Sequence, residues 1–346
     1  MRFAFVPYGA CAGRPHVVAD GAPQPGTTLT LSHWPGTPTP AGLGADTSAE
    51  IALRFLDLPP RERDRLAAGA RSVTNNHFDE DGALALLALV APEAALARRD
   101  LVVAAATAGD FLVWRDPSAL KVALAISAFT DPARSPLGVS EATRPYPDRV
   151  AGRYEAVLAR LPAWLEAPDA PEVRALWEEP FAAVEAGMRA FERGRARIDD
   201  RPDLDLAVVD RDAGLAPLPR AAVYPRTPRT RVLWLTGGAV EGVSLRYETW
   251  VRLASRRPRP RVDLVPLVPV LDRLEVDHTP GGAVAARWYA DDVRDITPSL
   301  HPIGPDGRRL VSRIPASRFL DALAGRLTIS ERAGGDFDPY REGRPA

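Results

Sequence analysis

Lysine is almost missing from this chain. Lys121 is the single one in 346 residues, so arginine supplies every other one of the 44 basic residues. Arginine binds phosphate bidentately, which is one reading of that bias; the other is GC-rich coding, which enriches Arg together with Ala, Pro and Gly. Cysteine is as scarce. Cys11 stands alone, which excludes an internal disulfide framework and any zinc site built from several thiolates. It has no neighbouring His and reads as a structural thiol. No apolar run approaches the roughly 20 residues that a membrane span needs. The opening Met1–Val6 run is cut short by Pro7 and Gly9, too early for the apolar region of a signal peptide. A cytoplasmic protein without membrane attachment is therefore expected. Net charge is −1, which gives no broad basic surface for nucleic acid and leaves room only for a local groove. No Ser sits in a Gly-x-Ser-x-Gly elbow, so nothing supports an α/β-hydrolase.

What is present reads as globular. The chain is 46% hydrophobic and 26% charged, and its length suggests about two domains. The pattern predicts an α/β fold: a mostly parallel sheet domain over 1–147, a helical connector over 148–202, a smaller C-terminal α/β domain over 203–330, and a frayed tail over 331–346. In the first domain, Phe3–Val6, His16–Ala19 and Thr28–Leu31 are short apolar runs bounded by Gly or Pro, as buried strands are. Ser72–Asn76 and Leu101–Thr107 are further expected strands. Asp46 or Thr47 is expected to cap a helix that Pro59-Pro60 stops, and Ala83–Val90 an apolar helix. In the last domain, strands are expected at Leu204–Val209, Arg231–Leu235 and Ala283–Tyr289. Helices are expected at Tyr247–Ala254, Leu264–Leu274 and Ala316–Leu327.

The chemistry concentrates in Asn75-Asn76-His77-Phe78-Asp79-Glu80-Asp81-Gly82. In extended chain, alternate side chains share a face, so His77, Asp79 and Asp81 point together. One imidazole and two carboxylates suit a divalent transition metal such as Mn. The run lies where a strand gives way to a helix, the edge at which open α/β sheets bind ligands. The rival reading is an acidic turn capping the next helix. A calcium EF-hand would need Glu where Ala88 stands. A haloacid-dehalogenase-type phosphatase would need a lysine and a later acidic pair that the sequence does not place. A glycosyltransferase Asp-x-Asp remains open. Elsewhere, His16 reads as a hydrogen-bonded structural residue, His301 before Pro302 as a surface-loop residue, Gly237-Gly238 as a turn, and Arg256–Arg261 as a solvated helix end. Asp277–Gly282 also reads as a turn.

The run His77–Gly82 resembles the first motif, His-x-Asp-x-Asp-Gly, of the DHH phosphoesterases, which include RecJ-like exonucleases and pyrophosphatases. Ala104–Asp110, placed after an expected strand, is similar to that family's last metal-binding Asp motif. Leu29–Gly36, followed by Asp46–Glu50, is similar to its Asp-His-His segment and the helix start beyond. Here Ser32-His33-Trp34 stands in place of the triplet and precedes the first motif, so the order is rearranged. The family's Gly-Gly-His signature is missing. The resemblance implies two Mn ions, with Mg as the alternative, and hydrolysis of a phosphodiester or nucleotide-like substrate. It implies His77 and Asp79 on one ion, Asp81 on the other, Asp110 bridging both, Asp20 as an additional ligand, and His33 as a ligand or proton donor. The expected partner is a small phosphorylated substrate or nucleotide. The missing triplet motivates the alternative of a non-catalytic nucleotide- or partner-binding protein.

Overall fold

A computed structural model describes residues 2–279 and 286–342. Pro280-Gly281-Gly282 and the beginning of the strand expected at 283–289 lie outside the described residues. The fold is α/β, and the chain divides into two compact units. The first comprises residues 1–183 with the excursion 252–256; the second comprises 184–251 and 257–342. The chain passes from one to the other within a single helix, 171–192.

The first unit is built on a four-stranded sheet in which every pairing is parallel. Its strands are β1 (Ala4–Phe5), β2 (His16–Ala19), β3 (Thr27–Leu31) and β4 (Ser72–Thr74), in the spatial order β1-β4-β2-β3. The short helix α1 (Tyr8–Cys11) follows β1, and Cys11 is buried there. His16 is buried and bonds the Arg14 carbonyl through Nδ1 at 2.7 Å and Thr27 Oγ1 through Nε2 at 2.9 Å. After β3 come α2 (Ser48–Asp57), capped by Thr47, and α3 (Pro60–Ala67), whose Pro60 opens the helix that follows the stop. After β4 comes α4 (Glu80–Val90), with Leu84 to Leu89 completely buried. The unit continues with α5 (Pro92–Ala97), α6 (Arg99–Asp110), α7 (Pro117–Ser127), α8 (Tyr146–Leu158), α9 (Leu161–Glu166) and α10 (Pro171–Glu192). Tyr154, Leu161, Trp164, Val173 and Trp177 on α8 to α10 pack into the same core as α4.

Helix α6 corrects the strand expected at Leu101–Thr107. Val102, Ala105 and Ala106 are the buried positions. That is helical spacing, and alanine favours helix. An apolar run without Gly or Pro inside it carries no mark of its own to distinguish strand from helix. Asp110 therefore closes a helix and does not follow a strand.

The second unit has a mixed six-stranded sheet in the order β5-β6-β7-β8-β10-β9. Its strands are β5 (Ala196–Arg201), β6 (Leu206–Arg211), β7 (Arg231–Thr236), β8 (Ala239–Leu245), β9 (Arg287–Ala290) and β10 (Ser299–Ile303). Among the described residues only β6 and β7 run parallel. Helices α11 (Arg220–Val223), α12 (Val268–Asp277) and α13 (Ala316–Arg332) belong to this unit. Phe319, Leu323 and Leu327 of α13 pack with Leu233, Val243 and Leu300. Pro266 and Pro269 fall in the first turns of a 3-10 turn and of α12, where a missing N–H costs nothing.

Four expectations fail in this part of the chain. Tyr247–Ala254 forms one 3-10 turn, Tyr247–Thr249, and no helix. The amides of Ala254 and Ser255 donate to the Asp46 carboxylate, not to helical carbonyls. Arg261 is not solvated. It is buried and donates to the carbonyls of Val293 at 3.0 Å and Ile296 at 2.7 Å and to Thr249 Oγ1 at 2.7 Å, and burial pushes its pKa down to about 9. The tail beyond Arg332 is packed as far as it is described: Phe337 is buried and its carbonyl accepts from Arg261 N at 2.8 Å. His301 lies buried on β10, not in a surface loop.

Candidate metal centre

Three adjacent parallel strands release their chains at the same carboxyl edge. β2 ends into Asp20, β3 into Ser32-His33, and β4 into Asn75-Asn76-His77. Because β2 lies between β4 and β3, Asp20 stands between the two imidazoles. His77 Nε2 is 2.7 Å from Asp79 Oδ2 and 3.3 Å from Asp20 Oδ2. His33 Nε2 is 3.5 Å from Asp20 Oδ1, 3.5 Å from Asp110 Oδ2 and 3.8 Å from Asp81 Oδ2. All six residues singled out by sequence thus converge. Five of them form two triads that could hold a cation, Asp20–His77–Asp79 and Asp20–His33–Asp81, with ligand atoms within 4.8 Å of one another, and Asp110 stands beside the second. The shared member is Asp20, one oxygen to each triad, and not Asp110.

Local structure fixes each group. Asp20 has φ +53°, left-handed backbone that costs most residues roughly 1–2 kcal/mol but that Asp and Asn tolerate. Ser48 Oγ donates to its Oδ1 at 2.7 Å. Asp79 caps α4, accepting from Gly82 N through Oδ1 at 2.8 Å, which leaves Oδ2 for His77. Asp81 accepts from Ser48 N at 2.6 Å and Ala49 N at 2.8 Å, at the amino end of α2 where the helix dipole favours an anion. His33 Nδ1 lies 2.7 Å from the Asp46 carbonyl. A carbonyl only accepts, so Nδ1 carries the proton and Nε2 turns its lone pair toward the side on which the carboxyl groups stand, the outer-shell arrangement usual for a metal-ligating histidine. Asp46 also ties down Ala254 and Ser255, and Arg252 N donates to the His33 carbonyl at 2.9 Å. The Trp34 ring lies 4.7 Å from that of His77.

The charges are in conflict when no cation is bound. Burial would push the Asp20 carboxyl up, but His77, His33 and Ser48 together hold it down at about 2. Burial lowers the pKa of His33 despite Asp20, which keeps the ring neutral. Burial also opposes the charged form of His77, but Asp79 and Asp20 outweigh it and raise its pKa well above 6.5. Burial and the charge of Asp20 drive Asp81 well above the carboxylate range, against its two amide donors. Burial and the charges of Asp81, Asp79 and Asp20 do the same to Asp110. Burial and Asp79 lift Glu80 to about 7. Asp20 Oδ2, Asp110 Oδ2 and His77 Nδ1 are buried without a hydrogen bond among the described residues. Buried polar atoms left this way take an ordered water or a bound ion as partner. Two imidazoles and four carboxylates are donor types that could hold a cation.

Gly82 leaves no room for a side chain. A Cβ there would stand 2.5 Å from Tyr154 Oη, 2.6 Å from Asn75 Nδ2 and 2.8 Å from Asp79 Oδ1. Tyr154 Oη in turn donates to the His77 carbonyl at 2.6 Å. Gly82→Ala is expected to cost ~1–3 kcal/mol by overpacking and to displace the Asp79 carboxylate. Thermal denaturation and metal content measure the two effects, and a variant matching the parent in both would refute this account. Sequence reasoning missed Tyr154, Ser48 and the role of Asp46, because their contacts to the site span 77, 28 and 13 residues.

Comparison with known proteins adds a family but no activity. Residues 1–331 match DUF6687, described as a family of unknown function. No curated protein and no solved structure matches the chain.

Proposed function

We propose that the chain, which belongs to the DUF6687 family, is a metal-dependent phosphoesterase or phosphohydrolase acting on a phosphodiester or nucleotide-like substrate. The observation that carries this reading is the pair of His–carboxylate triads sharing Asp20 at the carboxyl edge of a parallel sheet. His77, Asp79 and Asp20 would hold one ion, and His33, Asp81 and Asp20 the other, with Mn favoured by the mixed imidazole and carboxylate donors and Mg as the alternative. Ions so held lower the pKa of a bound water and neutralise phosphoryl oxygens. The chain's own contribution is positioning. Asp46 orients His33, Gly82 N orients Asp79, and the amino end of α2 orients Asp81. Asp110, within 3.5 Å of His33 Nε2, can exchange a proton with that edge of the site. The resemblance of His77–Gly82 to the DHH first motif points to the same chemistry.

The test is hydrolysis of a generic phosphodiester and of nucleotides by the purified chain with Mn or Mg, beside Asp79→Asn and Asp81→Asn. Activity should require the ion and fall at least ~10–100-fold in each variant, since disturbing even an outer-shell partner costs that much. Negligible metal in all three proteins would overturn the reading. The non-catalytic reading, favoured by Ser32-His33-Trp34 and by the Trp34 ring against His77, predicts instead that a nucleotide raises the melting temperature without metal and is not hydrolysed.

A further inference from the structure

The second unit contains a cavity of about 520 Å3, within the size range of small-ligand pockets. Strand alternation and register place Val209, Arg211, Trp234, Ser244, Ser299 and His301 on one face of the sheet. All six line the cavity. Gly242, paired with Trp234, keeps that face open. A Cβ there would meet the Leu300 carbonyl at 2.4 Å. The opposite face is the one packed against α13.

The polar groups of the cavity are partly spoken for. Glu241 is taken by Arg211 at 2.6 Å. Asp291 accepts from Ser299 N and Oγ, both at 2.8 Å. Ser299 Oγ has a single proton, and the carboxylate receives it. The same oxygen must then accept from Arg309 Nη2 and from His301 Nδ1, each at 3.2 Å. His301 Nδ1 is therefore protonated and Nε2 bears a lone pair. Burial and the charge of Arg309 lower the pKa of His301 against the pull of Asp291, which keeps the ring neutral. Nε2 makes no hydrogen bond among the described residues, although His301 is buried. Arg211 Nε is buried and equally unpartnered. Arg220 and Arg309 line the cavity and form no ion pair among the described residues.

The lining thus offers an indole and aliphatic wall, a surplus of positive charge and one bare acceptor. We propose that this cavity binds a planar organic anion that also carries an N–H or O–H donor. The arginines take the carboxylate or phosphate, Trp234 and Val209 take the flat body, and His301 Nε2 takes the donor. This site is independent of the acidic cluster in the first unit.

The experiment is calorimetric titration of the full chain in EDTA with 4-hydroxybenzoate, the carboxylate source, and adenosine monophosphate, the phosphate source. Benzoate and inorganic phosphate serve as controls. One molecule per chain should bind in at least one of the two arms. Benzoate, lacking the donor, should bind about tenfold more weakly than 4-hydroxybenzoate, and inorganic phosphate more weakly than the nucleotide. Arg309→Gln and Arg220→Gln should each weaken binding about tenfold, while Asp20→Asn leaves it unchanged. No binding in either arm, binding indifferent to both arginines, or inorganic phosphate binding as tightly as the organic anions would overturn the proposal.

Discussion

Asp20→Asn is expected to empty both halves of the acidic centre, whereas Asp79→Asn and Asp81→Asn should each empty one. Asp20 is the one residue common to the two triads, with Oδ2 toward His77 and Oδ1 toward His33. On the proposed reading, replacing it removes a charged ligand from each ion at once. Asn is the right substitute because the site requires φ +53°, which Asn adopts with little strain and Ala does not. Ser48 Oγ can still donate to the amide oxygen, so the turn keeps its hydrogen bond. Affinity should fall by more than the ~10–100-fold typical of losing an outer-shell partner. Metal content after equilibration with Mn and desalting reads the result: stoichiometric in the parent, partial in Asp79→Asn and Asp81→Asn, and absent in Asp20→Asn. Parent-like Mn in Asp20→Asn would refute the shared-ligand geometry.

The residues of the candidate site, though not their grouping around Asp20, were legible in the sequence because the site's ingredients are local. Short apolar runs punctuated by Gly and Pro mark β2, β3 and β4, and polar residues immediately beyond a buried parallel strand project at its carboxyl edge. His77, Asp79 and Asp81 stand out as one imidazole and two carboxylates close in sequence, but the alternation expected of extended chain fails: Asp79 caps α4, Asp81 lies in its first turn, and the two fall in different triads. Asp20 and His33 stand out only by following a strand, and what brings them together is the spatial order β4-β2-β3, which no local pattern encodes. The same limit hid Asp46. It reads as a helix cap, yet Thr47 caps α2, while Asp46 bonds amides more than 200 residues away.

Errors fell where one pattern serves two structures. Leu101–Thr107 is apolar enough for a strand, and only its burial at 102, 105 and 106 reveals a helix. Pro302 looked like a loop marker beside His301, but a strand tolerates Pro where no donor is required. Here the Pro302 carbonyl serves, accepting from Leu310 N at 2.9 Å. Arg261 sits in a run of arginines that composition alone would send to solvent. Its donors instead end on loop carbonyls in the interior, a role that depends on segments 32 to 35 residues further on.

Metal uptake should release protons, and the stabilisation given by Mn should grow as pH rises. Without a cation the centre relieves its own repulsion by binding protons. His77 is protonated near neutrality because its pKa stands well above 6.5, and Asp81 and Asp110 keep theirs well above the carboxylate range. A histidine or carboxylate must give up that proton to ligate. The linkage has one sign for all three. A folded-state pKa above the unfolded value contributes stability that is complete below the unfolded pKa and is lost as pH climbs through the folded one. For His77 that loss begins above about 6.5. Asp20 acts oppositely: with its pKa held at about 2, its contribution is present above the usual carboxylate range and lost only in strong acid. In EDTA, therefore, the melting temperature should decline from pH 6 to pH 9, by analogy with the ~1.4 kcal/mol per pKa unit that such shifts carry. Mn supplies the positive charge that the departing protons took away, so the curve in its presence should flatten. Affinity should rise about tenfold per pH unit for each proton displaced. Calorimetry in buffers of different ionisation enthalpy counts those protons directly. A count of zero, or an Mn-induced shift in melting temperature that is the same at pH 6 and pH 9, would mean that the carboxylates and imidazoles are not the groups that meet the ion.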